Sequence, residues 1–568
     1  MELSKILLQR RGADLDDNPY AVHQIQHSCR TISYKHAKEY LVQHQEWLKT
    51  SIFDSFEERI THASPDSTIV IAYLSNNSPD LFLSVISATS SCVRALPALI
   101  NTRWTVAEVG QALQSTNSND MTLLLYGPEF RETAEEASRI IAHFVVSLPI
   151  PSLVRLGPII VPESDRRRSA TTNDYDLNAC ILELSRLPLS HDDALIVFTS
   201  GTTSGPKGVR LSHRALVMQA LAKLQPPCRY SSKTVMLATT VPFFHVGGLS
   251  SILAVWLAGG TLIFPGAPGM SSKFDPSRLL DSLSHALPSN TLVMVPAMIF
   301  AVQKEMQPGE TFPYVDLILI GGQSASNTTI DFLTETYPNA RVVQTYACTE
   351  AASSMTFFDV TAERSCLVQS LPLAGDCVGV TPRHVRISIF DATKQPSLEA
   401  VEESYTPGII GTAGAHVMNG YWRRGGLNPV RRFEEWYLTN DLGFWDEENR
   451  LYFCGRANDV IRTGGETVLA SEVERILAMH PSVVECAVFA LPDERFGEAV
   501  CCALVCSGSC PCVSEVRKFC AKEGTLAGYK RPRRLFEVEE LPRNSSGKIL
   551  KFLLQERFKD AGRLRSKL

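Results

Sequence analysis

An α/β protein with parallel sheets is the fold class this chain predicts, and three observations carry that expectation. Between about residues 66 and 330, short apolar runs alternate with longer stretches of helical periodicity, the pattern of strands joined by crossover helices. From Gly408 to Gly455 the texture changes to short strands separated by turns, which reads as a β-rich subdomain. Finally, 568 residues exceed what one hydrophobic core holds, so at least two domains are expected. The organisation that follows is a large body over residues 1–455 and a small mobile α+β lid over 456–568.

The strands expected in the body are Thr68–Leu74, Leu195–Thr199, Val235–Thr239, Leu292–Val295 and Leu317–Ile320, each followed by a turn or helix. Segment 157–190, with Arg166-Arg167-Arg168 among Ser, Thr and Asn, reads as a solvated connection. In the β-rich stretch Arg450–Cys454 is a strand. In the lid, Ser471–Met479 and Ser514–Glu523 read as helices and Ala487–Leu491 as a strand.

Composition narrows the function classes. With 44% apolar and 20% charged residues the chain is of the ordinary folded type. Its 55 basic and 60 acidic residues leave a net charge of -5, which gives no basic field for nucleic acid. No apolar run approaches the roughly 18 to 20 residues that span a bilayer. Glu2, Asp14, Asp16 and Asp17 make the start unlike a secretory signal or an acid-poor transit peptide. The closing Ser566-Lys567-Leu568 is expected to be read by a peroxisomal import receptor, with plastid or cytosol as the alternatives. Fifteen scattered cysteines are expected to be reduced thiols. The cluster Cys501, Cys502, Cys506, Cys510 and Cys512 lacks paired C-x2-C spacing, which argues against a metal site.

The sharpest local feature is Phe198-Thr199-Ser200-Gly201-Thr202-Thr203-Ser204-Gly205-Pro206-Lys207-Gly208. A strand runs into a loop whose glycines let backbone amides approach phosphate oxygens, with hydroxyls and one lysine to assist. The spacing is not that of a Walker loop. Thr199–Gly208 resembles the phosphate loop of the adenylate-forming superfamily, with Ser204 where Gly is usual. Further elements similar to that family follow in order. Pro242-Phe243-Phe244-His245 resembles its acyl-tunnel element, and Gly321-Gly322-Gln323 its glycine turn beside adenine. Tyr346-Ala347-Cys348-Thr349-Glu350 is similar to Tyr-Gly-x-Thr-Glu, and Tyr437-Leu438-Thr439-Asn440-Asp441 to Tyr-x-Thr-Gly-Asp. Gly455 to Ile461 resembles the interdomain element, Gly464-Gly465-Glu466 the loop beside the pantetheine channel, and Pro542 to Lys548 the closing Pro-x4-Gly-Lys.

The resemblance implies an ATP-dependent ligase that forms an acyl-AMP from a carboxylic acid and then passes the acyl group to CoA. It implies that Thr199, Ser200, Gly201, Thr202, Thr203, Lys207, Gly322, Tyr346, Asp441 and Arg456 bind ATP or AMP. Lys548, Thr349, Glu350 and His245 are then catalytic, with Glu350 holding Mg²⁺. Asn458 becomes the hinge of the lid, and Gly464, Gly465 and Glu466 bind CoA. Departures at Ser204, Ala347 and Asn440 raise the alternative of a catalytically dead binding protein. Retention of Lys207, Glu350, Asp441, Arg456 and Lys548 argues against it.

For the acid, His245 to Ser251, Val295 to Met298, Thr349 to Phe357 and Arg462 to Glu466 resemble the plant-type o-succinylbenzoate–CoA ligase branch of phylloquinone synthesis. Small and hydroxylic residues at 247–251 and 351–356 suit a short, polar, aromatic acid. A peroxisomal cinnamate-like or medium-chain fatty acyl–CoA ligase would share every catalytic residue. A stand-alone enzyme that loads a carrier protein is a further alternative.

Overall fold

The computed structural model describes residues 2, 19–25, 28–60, 69–90, 95–116, 122–140, 145–150, 191–199, 205–238, 240–265, 274–285, 289–364, 375–391, 399–422, 432–522, 526–543 and 549–559. The chain forms two compact units. The first comprises Met1–Arg364, Thr381–Arg386 and Ala413–Arg431, and the second Ser365–Val380, Ile387–Thr412 and Arg432–Leu568.

The first unit is built on two α/β sheets. One has seven strands in the order Gly420–Trp422, Lys207–Ser212, Asp193–Thr199, Ala95–Leu99, Ile69–Leu74, Thr122–Tyr126, Val145–Pro149. Its strands from Asp193–Thr199 to Val145–Pro149 run parallel, and the two beyond are antiparallel. The other sheet has eight strands, parallel through Arg341–Cys348, Leu317–Ile320, Thr291–Met294, Val235–Leu237, Thr261–Pro265 and Pro19–Ile25, with antiparallel edges Ser353–Asp359 and Ser28–Ser33. Strands such as Ile69–Leu74 and Leu317–Ile320 are buried along their whole length, as parallel strands covered on both faces must be. Helices Pro79–Ala88 and Val246–Ala258 pack through Phe82 and Trp256, whose rings lie 5.4 Å apart. The expected strands are therefore present, with ends shifted: Val235–Thr239 stops at Leu237, and Leu292–Val295 becomes Thr291–Met294 because Val295 caps the next helix.

The second unit holds two smaller sheets. One is antiparallel and six-stranded, including Gly408–Gly414, Trp436–Trp445 and Leu451–Arg456. The other contains Val460–Thr463, Glu466–Leu469, Val483–Asp493 and Gly497–Cys506, with Arg534–Glu537 added in parallel. Helices Ala470–Leu477 and Val513–Lys522 lie within the two lid helices expected from periodicity, or one residue outside them. The expected division at 455 falls inside this unit, between its two sheets, because the β-rich strands cluster with the C-terminal part. Segment 157–190 lies outside the described residues. One cysteine expectation is corrected. Cys506, ending a strand, and Cys510, just past the Ser507-Gly508-Ser509 turn, are joined as a disulfide, their Cα atoms being 5.5 Å apart. Cys501 and Cys502 are buried free thiols, as expected.

Candidate functional site

Thr199 and Lys207 face each other across an antiparallel pair, so the hydroxyl- and glycine-rich run is the connection of a β-hairpin. Ser200, Gly201, Thr202, Thr203 and Ser204 lie outside the described residues. Gly205 carries the left-handed backbone, φ 82°, that a side chain would resist. Lys207 is exposed, and the hairpin below it is fixed by an Arg210–Asp193 ion pair at 2.6 Å. Gly208 is required by packing: a Cβ there would lie 3.0 Å from Ile196 Cγ2 and 3.3 Å from Trp422 Cβ.

Strand Gly420–Trp422 brings this hairpin to the glutamate turn. Tyr421 stands opposite Val209, and its hydroxyl donates to Glu350 Oε1 at 2.8 Å. The Glu350 carbonyl accepts from Met418 N at 2.8 Å, so the 3-10 turn Thr349–Ala351 is held from both its side chain and its backbone. The turn leaves through Ala352 in the left-handed region, φ 56°, a strained conformation for a residue with a Cβ. Ala347 lies in strand Arg341–Cys348, at a register shift beside Tyr346, and extended backbone there accepts alanine in place of glycine. Gly322, φ 83°, turns the chain just after strand Leu317–Ile320.

His245 caps helix Val246–Ala258, and burial with Arg103 nearby pushes its imidazole down to about 4. The ring is therefore neutral at neutral pH. The loop before it is clamped by Asn77, whose amide donates to Ala238 O at 2.7 Å and Val241 O at 3.0 Å and accepts from Phe243 N at 2.9 Å. Helix His213–Leu224 adds Gln219 and Lys223, both fully buried. Gln219 donates to Ala351 O at 2.8 Å and Ser354 O at 3.0 Å, and Lys223 donates to Ser250 and Ser353. Sequence reasoning missed Asn77, Gln219, Lys223 and Tyr421. Gln219 and Lys223, four apart on one helix face, read from sequence alone as a solvated pair.

In the second unit Asp441 and Arg456 are register partners on neighbouring strands and form an ion pair at 2.8 Å. Asp441 is buried, and its amide donates to Thr439 Oγ1 at 3.2 Å, while Thr439 donates to Ile410 O at 2.9 Å. Asn440 between them is left-handed, φ 67°, which explains both the glycine expected there and why asparagine serves. Asn458 is exposed in the 3-10 turn Ala457–Asp459 that joins the two sheets of this unit. Gly464 and Gly465, φ 62° and 85°, form the two-residue turn of the hairpin that continues at Glu466. Two positive φ angles in succession are those of a type I′ turn. Lys548 lies outside the described residues. The flanks of its loop meet in a bridge between Arg543 and Ile549, and Leu550 N donates to Pro542 O at 2.8 Å. The following helix is tied down by Lys551, which pairs with Glu474 at 2.8 Å and Asp459 at 3.6 Å. Among the described residues no group of three His, Cys, Asp or Glu could hold a metal, and no helix is long and apolar enough to cross a membrane.

The pattern of the AMP-binding enzyme family matches residues 63–422, and that of the AMP-binding enzyme C-terminal domain matches 472–548. The chain is 30% identical over 508 residues to a chloroplastic/peroxisomal 2-succinylbenzoate–CoA ligase of Arabidopsis thaliana, covering 83% of this chain and 84% of that protein. It is 31% identical over 373 residues to a 4-chlorobenzoate–CoA ligase of an Arthrobacter species, covering 65% and 67%. Its fold matches the o-succinylbenzoate CoA synthetase of Bacillus subtilis in complex with the acyl-adenylate OSB-AMP, with TM-score 0.72, 21% identity and 97% of each chain covered.

Proposed function

We propose, starting from the fact that the chain belongs to the AMP-binding enzyme family and is an AMP-forming acyl–CoA ligase, that its acid is 2-succinylbenzoate. The products would be 2-succinylbenzoyl-CoA, AMP and diphosphate, in phylloquinone or naphthoquinone synthesis. The supporting observation is a set of buried hydroxyls on the segments that resemble the acyl wall. Ser250, Ser251, Ser353, Ser354 and Thr356 are each at most 1% exposed. 2-Succinylbenzoate keeps one carboxylate after the other is activated. Burying that charge unpaired would cost several kcal/mol, on the order of 3 to 5, so the wall must supply donors. A fatty or cinnamoyl chain would want an apolar surface instead.

In this reading the substrate carboxylate attacks the α-phosphorus of ATP and diphosphate leaves. The thiolate of CoA then attacks the acyl carbonyl and AMP leaves. The 199–207 hairpin holds phosphate oxygens, Thr349 meets the α-phosphate, and Tyr346 and Gly322 border the adenine. Asp441 accepts from the ribose hydroxyls and Arg456 supports ribose and phosphates. Lys548 neutralises the attacking carboxylate and the α-phosphate, and the lid turns about Asn458 to bring Gly464, Gly465 and Glu466 to CoA. His245 borders the acyl group. Glu350, a half-buried carboxylate oriented by the Tyr421 hydroxyl, would hold Mg²⁺, because a hard cation that takes most of its ligands from phosphates and water asks the protein for one carboxylate. The ion would neutralise phosphate charge. Import into peroxisomes through Ser566-Lys567-Leu568, which lie outside the described residues, accords with this assignment.

The test is kcat/KM for 2-succinylbenzoate against coumarate and octanoate at saturating ATP and CoA. A preference of about 10⁴-fold for 2-succinylbenzoate is expected, since an apolar analogue strands the polar wall. If coumarate or octanoate is the better substrate, the assignment is wrong.

A further inference from the structure

We propose that Lys223, acting through the hydroxyls of Ser250 and Ser353, is the buried positive charge that selects acids bearing a second carboxylate. The inference rests on the ligase reading above and names the residue that enforces its substrate class.

Lys223 is 0% exposed, on the last turn of a helix whose neighbours Ala220, Leu221, Ala222 and Leu224 are core residues. Its ammonium donates to Ser250 Oγ and, at 3.3 Å, to Ser353 Oγ. Cys228, the titratable group among the described residues that acts on Lys223, has its thiol pushed up to about 12 by burial, so it stays neutral and offers no counter-charge. Burial pushes Lys223 itself down only to about 8, so the amine is largely protonated at neutral pH. A lysine used merely to tie three elements together would carry a desolvation cost that methionine of similar length avoids.

The direction of the hydrogen bonds gives this charge an outlet. Because the ammonium donates to both hydroxyl oxygens, the serine protons are directed elsewhere. Ser250 has one proton and two acceptors in reach, Gly247 O at 3.4 Å and Ser353 Oγ at 2.8 Å. The nearer, Ser353, takes it, which leaves the Ser353 proton as the end of the chain. A carboxylate that accepts this proton would receive it with a full positive charge behind it, a charge-assisted bond. Three further polar atoms on the same elements point to a ligand. Gln219 Oε1, Ser354 Oγ and His245 Nε2 are buried without a hydrogen-bond partner among the described residues. Gln219 lies one turn before Lys223, Ser354 follows Ser353, and His245 caps the helix that carries Ser250. Buried polar atoms are nearly always paired, so orphaned ones on these elements mark where polar atoms of a substrate belong. Lys223 touches the hydroxyls and not the acid, and is thus a positioning residue.

The experiment compares wild type with Lys223→Met and Ser353→Ala. Pyrophosphate release is followed with 2-succinylbenzoate, its ring-carboxylate methyl ester, coumarate, oxalate and malonate. The diacid-to-monoester ratio of kcat/KM should fall about 100-fold in Lys223→Met, chiefly through KM for the diacid. Ser353→Ala should move the ratio the same way, and it carries the test if Lys223→Met does not fold. An equal loss for diacid and monoester would make Lys223 a structural tie and overturn the proposal. If wild type prefers 2-succinylbenzoate and neither variant alters the ratio, the substrate reading stands and the Lys223 assignment falls. If wild type prefers oxalate or malonate and the variants abolish that preference, the substrate is misnamed but the charge assignment holds. If wild type prefers coumarate to every diacid, both fail.

Discussion

Asn440 shows how the backbone accommodates a departure from a family pattern. Its φ of 67° lies where glycine is the default and asparagine is the side chain that best tolerates the strain, so Asp441 keeps its place opposite Arg456. Lys548 offers the converse test, because its assignment rests on spacing and resemblance. Lys548→Ala should lower acid-dependent pyrophosphate release about 100-fold or more, the scale of one lost charge stabiliser. It should still convert supplied acyl-AMP and CoA to thioester, and equal damage to both half-reactions would remove the assignment. The residues proposed to handle nucleotide could be named from the sequence because phosphate and ribose demand particular groups in a fixed order along the chain. Lys223 and Gln219 could not, since a lysine on a helix ordinarily reaches solvent and only tertiary packing closes over this one. Tyr421 was hidden likewise, because its contact with Glu350 spans 71 positions of sequence.

Among the elements, parallel strands were easy to find and hard to delimit. An unbroken apolar run marks the strand, but nothing in it says that Val295 leaves the sheet to cap a helix. The Cys506–Cys510 pair was missed because four-residue spacing carries no disulfide signal until a strand end and a turn bring the two Cα atoms to 5.5 Å. The hairpin at Gly464-Gly465 lends itself to a direct test. A Cβ on Gly465 would meet nothing within 4 Å, so any effect of a side chain there is conformational. Gly465→Val forces a β-branched residue to φ 85°, a strain of about 1–3 kcal/mol that re-aims the turn. Thioester formation from supplied acyl-AMP should fall about 10-fold, corresponding to roughly 1.4 kcal/mol, while pyrophosphate release is retained. A loss confined to pyrophosphate release would contradict the CoA role.

On the scale of the whole molecule, the histidines divide unevenly between the two units. His44, His213, His245, His384 and His416 all belong to the first, and burial is the leading cause that pushes each down to about 3 or 4. In the unfolded chain they titrate near 6.5, so below that pH the unfolded state takes up protons that the folded unit refuses. Their contribution to stability is present above pH 6.5 and is lost as pH falls toward 4, by up to about 1.4 kcal/mol per histidine per pH unit. Calorimetric scans from pH 7.5 to 4.5 should show the transition of the first unit moving down as acid is added. A midpoint unchanged down to pH 4.5 would mean that these rings are hydrated and protonated in the native protein. The single amide of Gln219 reaches backbone on both sides of Ala352, joining the glutamate turn to the serines proposed to line the acyl site. Chemistry and substrate choice thus share a fastener, and that limits how the enzyme can be diversified. Libraries that randomise 353–354 for new acids should select against bulk there even when the new acid fits, because the backbone that Gln219 holds beside Thr349 and Glu350 runs through those positions. Productive specificity variants should therefore arrive in pairs, the second change restoring the grip of position 219.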